Sequence, residues 1–227
     1  MYKDKRIAAI IPVFNEEKKI LNTINGLQKL DFIDSILVVD DGSTDNSADI
    51  AQKCDVKVIK LGRNYGKGFA IKAGISNVEA DYIVLLDADL GKTSYEISKL
   101  IYSIFINESD FVIAKFPNPK IKGGFGFVKK LAKLGVYLYT REKIESVLSG
   151  QRIYKKEVIN DITYIPNDYG IEIAMTIEAL KKGYKVTEVD VDMHHNETGR
   201  NLKGFLHRGK QFFHILRTLL VLSFKIR

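Results

Sequence analysis

Short apolar runs alternate along this chain with longer stretches in which apolar residues recur every three or four positions. Residues 7–11 (Ile-Ala-Ala-Ile-Ile), 36–39 (Ile-Leu-Val-Val), 56–59 (Val-Lys-Val-Ile) and 82–86 (Tyr-Ile-Val-Leu-Leu) are the runs of the first half. Runs of this length, closed by polar or turn-forming residues, predict strands buried on both faces. After the first run, Ile20, Ile24, Leu27 and Leu30 share one helical face. A second helix is expected from the loop 40–45 through about Lys53, and a third opens near Gly68. Such alternation predicts an α/β fold with a mostly parallel central sheet and helices on both faces. The second half is less regular. It predicts a helix over 94–106, a strand over 111–114, helices over 127–140 and 168–182, and a strand over 185–193. Residues 116–126, rich in Gly and Pro, read as a loop.

Length and composition narrow the picture. The 227 residues are 45% hydrophobic and 28% charged, which allows a full core and excludes a membrane bundle. No segment reaches the ~20 apolar residues of a membrane span. The start, Met1-Tyr2-Lys3-Asp4-Lys5-Arg6, lacks the pattern of a signal peptide. The single cysteine, Cys54, has no internal partner; with Ile50 and Ala51 it fits the apolar face of a helix. A reducing compartment, the cytoplasm, is expected.

Net charge is +7 and unevenly spread. Residues 115–143 hold eight Lys and Arg against Glu142, and residues 194–227 hold three Lys and four Arg against Glu197. That leaves the rest of the chain net acidic and points the second half toward anionic partners.

In a parallel α/β sheet, ligands bind beyond the carboxyl ends of the strands. Three polar clusters fall at such ends: Pro12-Val13-Phe14-Asn15-Glu16, Asp40-Asp41, and Asp87-Ala88-Asp89. Two carboxylates one residue apart share a hard cation, and that cation can grip a diphosphate. Each cluster has a plainer reading. Asp-x-Asp also suits a helix N-cap with a nearby acid. Asp40-Asp41-Gly42-Ser43-Thr44-Asp45 is also good turn and helix-start chemistry. Gly62-Arg63-Asn64-Tyr65-Gly66-Lys67-Gly68 lacks the spacing of a P-loop or a dinucleotide fingerprint. It remains a turn feeding a helix N-terminus, with a lysine beside it that suits an anion.

Four segments in order, residues 10–17 (Ile-Ile-Pro-Val-Phe-Asn-Glu-Glu), 38–45 (Val-Val-Asp-Asp-Gly-Ser-Thr-Asp), 64–68 (Asn-Tyr-Gly-Lys-Gly) and 86–89 (Leu-Asp-Ala-Asp), resemble the inverting family 2 glycosyltransferases of GT-A fold. Within that family the chain is most similar to dolichyl-phosphate mannosyltransferases and polyprenyl-phosphate glycosyltransferases. The resemblance is specific over residues 6–90, looser to 190 and weak beyond. It implies a nucleoside pocket lined by Pro12, Phe14, Glu16, Asp40 and Asp41, with Lys67, Asp87 and Ala88 near the base or phosphates. It implies Mg²⁺ or Mn²⁺ on Asp87 and Asp89. It places Gln151 and Arg152 near the sugar and the acceptor phosphate. Asp168 is read either as an N-cap or, with Glu172, as the base for an acceptor hydroxyl. Polyprenyl enzymes commonly carry Gln or His soon after the acidic tripeptide, where this chain has Leu90-Gly91-Lys92. A histidine after the late strand ligates the metal in related GT-A enzymes, so His194 or His195 is assigned there. Arg200 is assigned to a phosphate.

The implied reaction is metal-dependent transfer of a hexose from a nucleotide diphosphate sugar, with UDP-glucose as the default donor. The acceptor bears phosphate: polyprenyl phosphate first, or a small soluble molecule such as 3-phosphoglycerate or a glycan hydroxyl. Cell-envelope work fits the first. A GT-A domain is assigned to residues 1–200 and a basic amphipathic helix to 201–227. Leu202, Phe205, Leu206, Phe212, Phe213, Leu216, Leu219 and Leu220 make its apolar stripe, with Lys203, Arg208, Lys210 and Arg217 largely off it. Such a helix rests on an anionic lipid surface at the inner face of the membrane, packs on its own domain, or contacts a second copy of the chain. Two other classes are weaker. A nucleic-acid binder fits the pI near 9.2 but not the ordered acidic strand ends, so no nucleic acid partner is expected. A nucleotidyltransferase usually has a Gly-rich loop after its first strand, where this chain has Pro12-Val13-Phe14.

Overall fold

The computed structural model describes residues 4–117, 126–194 and 202–225. Its centre is a seven-stranded sheet of order β3-β2-β1-β4-β6-β5-β7. β1 (Ile7–Val13) is buried along its whole length. It pairs in parallel with β2 (Ser35–Asp40) and β4 (Tyr82–Leu85), and β2 pairs in parallel with β3 (Lys57–Lys60). β5 (Phe111–Lys115) and β7 (Val186–Asp190) are also parallel to each other. β6 (Arg152–Lys155) runs antiparallel between β4 and β5.

The continuous apolar runs divide by the two-residue period of a strand. Ile10, Leu37, Val39, Ile83, Leu85, Phe111 and Ile113 face one core layer. Ile11, Val38, Val84, Leu86, Val112 and Ala114 face the other. The first layer is covered by α3 (Lys67–Ile75), α5 (Phe127–Thr140), α6 (Lys156–Asp161), α7 (Ile171–Lys181) and α8 (Leu202–Lys225). The second is covered by α1 (Ile20–Leu27), α2 (Ser47–Gln52) and α4 (Ser98–Ile106). Burial on both faces explains why the strands read as solid apolar runs and not as alternating ones.

Several expectations shift. β6 and α6 were not anticipated, because Arg152-Ile153-Tyr154-Lys155 is too short and too polar to announce a central strand. The helix expected over 94–106 begins as a 3₁₀ turn, Gly91–Ile97, before α4. Leu30 lies beyond the end of α1 and still packs against the second layer. Cys54 follows α2 and does not sit within it. Its Sγ–H donates to the Ile50 carbonyl at 3.5 Å, and burial pushes its thiol up.

The C-terminal stripe is split by packing. Ile215, Thr218 and Leu222 of α8 turn inward, and Leu219 packs on α5, where a Cβ on Gly135 would meet its side chain at 2.7 Å. The Tyr139 hydroxyl donates to the Leu219 carbonyl at 2.7 Å. Phe213, Leu216 and Leu220, assigned to the same stripe, face outward. From Phe212 onward the helix is apolar nearly all round, so the spacing alone could not say which side meets the domain. Residues 195–201, where the assigned domain boundary falls, lie outside the described residues. Among the described residues no helix is long and apolar enough to cross a membrane.

Candidate active site

Strand direction builds the cleft. β1, β2 and β4 all end at one edge of the sheet, delivering residues 14–17, 40–47 and 87–89 there. β6 runs the opposite way and therefore begins at that edge, with Arg152 opposite Leu85. Gly150 and Gln151 consequently land beside Asp87.

Two of the three acidic loops are stapled to one another. Asn15 adopts a left-handed φ of 56°, one of the few non-glycine residues to do so, and its Oδ1 accepts from the Thr44 backbone N–H at 2.8 Å. The Glu16 N–H donates to Ser47 Oγ at 2.7 Å, and the Glu17 N–H donates to Asp45 Oδ2 at 3.1 Å. Phe14 projects from this clamp with its ring 44% exposed, while Pro12 is buried in β1.

Asp41 is buried and already has a task. Its carboxylate accepts from the backbone N–H groups of Tyr65 and Gly66, both at 2.8 Å. The anion that the loop before α3 holds is thus the protein's own. Gly66 takes φ 100°, and a Cβ there would stand 2.2 Å from the Asn167 carbonyl oxygen. A Cβ on Gly68 would stand 1.9 Å from the Pro166 carbonyl oxygen. The Gly-Lys-Gly triplet is therefore written by the close passage of residues 166–167, which brings the start of α7 to the cleft. Asp40 is buried, with the Ser43 N–H 3.3 Å from each carboxylate oxygen.

Lys67, between those glycines, is the hub. Its Nζ lies 2.7 Å from Asp87 Oδ1 and 2.9 Å from Glu172 Oε1. Burial alone would lower its pKa; Asp87 and then Glu172 outweigh that and hold the ammonium charged well above the usual lysine range. Gln151 Nε2 donates to the other Asp87 oxygen at 2.8 Å. Ala88 is buried, and its carbonyl accepts from Thr23 Oγ1 at 2.8 Å. The Asp89 carbonyl accepts from Lys19 Nζ at 2.9 Å. The backbone under the acidic tripeptide is thus gripped by α1 and its first residues.

Burial raises the Glu16 carboxyl above its ordinary range, and the charge of Asp89 adds to that. Lys19 opposes the shift, and Asp45 and Asp87 reinforce it. Among the described residues carboxylates outnumber ammoniums here: Glu16, Asp87, Asp89 and Glu172 stand against Lys19 and Lys67. Among the described residues no group of three His, Cys, Asp or Glu side chains is arranged to hold a metal by itself. An all-oxygen, net-negative edge of this kind fits a hard divalent cation that takes its remaining ligands from a bound diphosphate. Asp87 and Asp89 would hold it.

The structure redirects other assignments. Arg152 does not face the cleft; it is 1% exposed. Its guanidinium donates to the carbonyls of Val147 (2.6 Å), Ser149 (2.7 Å) and Glu172 (3.1 Å), and to Tyr154 Oη (2.9 Å) and Thr176 Oγ1 (2.8 Å). With all three of its nitrogens bonded inside, it positions the turn 147–151 and the first turn of α7. Asp168 is not the N-cap of α7, which starts after Gly170. It lies instead with its Oδ2 3.1 Å from His214 Nδ1 of α8, beside Tyr169. Glu172 faces the cleft in its ion pair with Lys67.

Residues 191–194 descend along the 3₁₀ turn: the Asp192 N–H donates to Glu96 Oε2 at 2.9 Å and the His194 N–H to Thr93 Oγ1 at 3.1 Å. His194 is thereby brought alongside the turn that follows Asp89, with its side chain mostly exposed. His195 and Arg200 lie outside the described residues.

Sequence reasoning missed Lys19, Thr23, Tyr169 and His214. Thr23 left a signal: a polar residue on the apolar face of α1, four positions after Lys19. His214 left none, since its role depends on α8 docking.

Gly150 gives a direct test of the cleft. A Cβ there would stand 2.6 Å from Lys67 Nζ and 2.7 Å from Asp87 Oδ2. Gly150→Ala is expected to push the two groups out of place and weaken nucleotide binding about 10–100-fold, with little change in melting temperature. Titration calorimetry beside a thermal melt checks both.

The glycosyl transferase family 2 pattern matches residues 8–163. An uncharacterized protein of Methanocaldococcus jannaschii is 33% identical over 204 residues, 82% of this chain and 88% of that one. Undecaprenyl-phosphate 4-deoxy-4-formamido-L-arabinose transferase of Salmonella choleraesuis is 39% identical over 107 residues, 43% of this chain and 33% of its own. Glycosyltransferase AglJ of Haloferax volcanii is 25% identical over 191 residues, and the chain spans 61% of its length. Among solved structures, glucosyl-3-phosphoglycerate synthase of Mycobacterium tuberculosis, in complex with Mn²⁺, UDP and glucosyl-3-phosphoglycerate, superposes with a TM-score of 0.80 at 21% identity, covering 96% of this chain and 80% of that one. The fold is GT-A, as the sequence pattern implied.

Proposed function

The chain belongs to glycosyl transferase family 2 and is a glycosyltransferase, and we propose that it moves a hexose from a uridine diphosphate sugar, UDP-glucose first, to polyprenyl phosphate. The observation that carries this reading is the excess of carboxylate over ammonium at the strand ends, with Lys67 between Asp87 and Glu172. Such an edge binds a nucleotide diphosphate together with Mg²⁺ or Mn²⁺ and binds a bare phosphate poorly. The bound cation supplies Lewis-acid neutralisation of the departing diphosphate.

The chain's own residues do the rest. The exposed Phe14 ring offers a stacking face for the base, and Asp40 lies behind it for a base N–H or ribose hydroxyl. Lys67 and Lys19 bring positive charge to the diphosphate side. Gln151 fixes Asp87 from below. A polyprenyl phosphate is already an anion and attacks the anomeric carbon without a base. Its choice as acceptor is supported by the name of the Salmonella relative, matched over 107 residues. Association with the inner face of the membrane follows from such an acceptor.

A soluble phosphate-bearing acceptor is the second reading, favoured by the fold neighbour bound to phosphoglyceric acid, with a TM-score of 0.79. A hydroxyl acceptor needs a base, and Glu172 is the carboxylate at the cleft that would serve.

Calorimetry with UDP, GDP and their sugar conjugates, with and without Mn²⁺, tests the donor. Manganese-dependent binding of the uridine compounds is expected; folded protein that binds none of them would sink the reading. Radiolabelled UDP-glucose offered with polyprenyl phosphate in detergent and with 3-phosphoglycerate then separates the two acceptors.

A further inference from the structure

Thr23 lies on the apolar face of α1 with Ile20, Ile24 and Leu27, and like them it is wholly buried. A buried hydroxyl has to find partners, and inside a helix it ordinarily turns back to the carbonyl four residues earlier. That carbonyl, of Lys19, is 3.2 Å away. A nearer acceptor belongs to another element: the Ala88 carbonyl oxygen is 2.8 Å from Thr23 Oγ1 and takes the proton. The same Oγ1 accepts from the Gly91 N–H at 2.8 Å. One hydroxyl thus spends its donor and an acceptor on the two sides of Asp89.

Close packing brings the helix within reach. The Thr23 carbonyl accepts from Ser94 Oγ at 2.8 Å. One turn on, a Cβ on Gly26 would stand 2.1 Å from that same Oγ, so α1 can lie this near the 3₁₀ turn only with glycine there.

The backbone at this point needs outside support. The Leu86 N–H still bonds to the Ile10 carbonyl at 3.1 Å, and there the chain leaves the sheet. A tight turn commonly closes by a bond from a carbonyl to the N–H three residues on. Between Ala88 and Gly91 the Thr23 hydroxyl is inserted into that bond, and it spaces the two groups by the width of an oxygen. Asp89 lies between them, and Lys19 holds its carbonyl at 2.9 Å. The two acids of the tripeptide are therefore fixed by different means. Lys67 and Gln151 fix Asp87 through its carboxylate. Thr23 and Lys19 fix Asp89 through the backbone from which its carboxylate departs.

We propose that Thr23 is a positioning residue for the cation: its hydroxyl spaces the 88–91 turn so that Asp89 presents its carboxylate to the same divalent ion as Asp87. The inference rests on the reading of Asp87 and Asp89 as the residues that hold that ion. Hard cations are sensitive to the spread of the oxygens offered to them, and groups that orient a ligand govern affinity without touching the metal.

Thr23→Val removes the hydroxyl and keeps the shape of the side chain. The Ala88 carbonyl and the Gly91 N–H, left without it, should close toward each other and turn Asp89 between them. Titration calorimetry of Mn²⁺ into the full chain loaded with UDP reads the result without any sugar transfer. Thr23→Val is expected to bind Mn²⁺ about 10–100-fold more weakly than wild type, and Thr23→Ser, which keeps the hydroxyl, to restore most of the loss. Ser94→Ala separates positioning from packing. It deletes the other hydroxyl bond between α1 and the 3₁₀ turn without touching residues 88–91, and it should keep wild-type affinity for Mn²⁺ whatever its melting temperature.

Equal losses in Thr23→Val and Ser94→Ala would make Thr23 a packing residue and overturn the proposal. So would wild-type affinity in Thr23→Val while Asp89→Asn loses the ion. No Mn²⁺ uptake by the wild type, or uptake untouched by Asp89→Asn, would overturn the reading of the cation site and the inference with it. Should Thr23→Val fail to fold, the wild type still decides. Its Gly91 amide, held by the hydroxyl, should exchange slowly with deuterium in the metal-free protein, and exchange at the rate of an open chain overturns the proposal.

Discussion

Asp89→Asn is expected to lower kcat/KM for sugar transfer about 10³-fold, the size of a lost several-kcal/mol charge stabilisation of the leaving diphosphate. The substitution should leave the backbone in place, because Lys19 and Thr23 hold the carbonyls of residues 89 and 88 and neither contact uses the Asp89 side chain. A second readout does not depend on turnover. The charge of Asp89 is, after burial, the largest cause of the raised Glu16 pKa. Removing it should bring the Glu16 titration down toward the ordinary carboxylate range, followed by carboxyl carbon NMR of the glutamates. Adding Mg²⁺ to the wild type should act in the same direction, since a cation placed between the carboxylates favours the ionised form.

The sign for stability follows from the same shift. A carboxyl whose pKa is raised on folding holds its proton more tightly in the folded chain, so its ionisation costs stability as pH rises through the folded pKa. Asp89→Asn relieves that cost. The variant should be no less stable than wild type at neutral pH, and more so than at acid pH, while losing its activity. A variant that keeps wild-type turnover with Mn²⁺ would remove the acidic edge from the chemistry.

The largest expected effect on stability belongs to Arg152. Arg152→Leu deletes every hydrogen bond that its guanidinium makes to Val147, Ser149, Tyr154, Glu172 and Thr176. The bonds to Val147, Tyr154 and Thr176 are fully buried, and each buried group left unsatisfied costs about 1–3 kcal/mol. Partial relaxation makes the sum smaller than additive, and a loss of about 3–5 kcal/mol is expected. That is a large share of the roughly 5–15 kcal/mol by which domains are stable. A urea midpoint at an unchanged slope measures it. Arg152→Lys should recover little, because one ammonium cannot span carbonyls on two segments. Nucleotide binding should fall in both variants, since the turn 147–151 carries Gly150 and Gln151 to Asp87. An Arg152→Lys protein of wild-type stability that fails only in acceptor use would return the arginine to the phosphate.

Much of this enzyme is written locally. The apolar runs of β1, β2 and β4 and the polar residues that close them suffice to place three acidic clusters on one sheet edge, because parallel strands joined by helices end on the same side. The ordered motifs through Asp89 also suffice for the family.

Other features exist only through contacts distant in sequence. Lys67 finds Glu172, and Gly66 and Gly68 are small because residues 166–167 cross them; no local pattern reports a neighbour a hundred positions away. The family resemblance places Arg152 near a phosphate, and only the packing of β6 against α7 turns it inward. The apolar residues of α8 nearly encircle the helix, so periodicity determined that it is sticky but not on which side. The docking of Leu219 against Gly135 decided that, and it left the other side open to what lies beyond the protein.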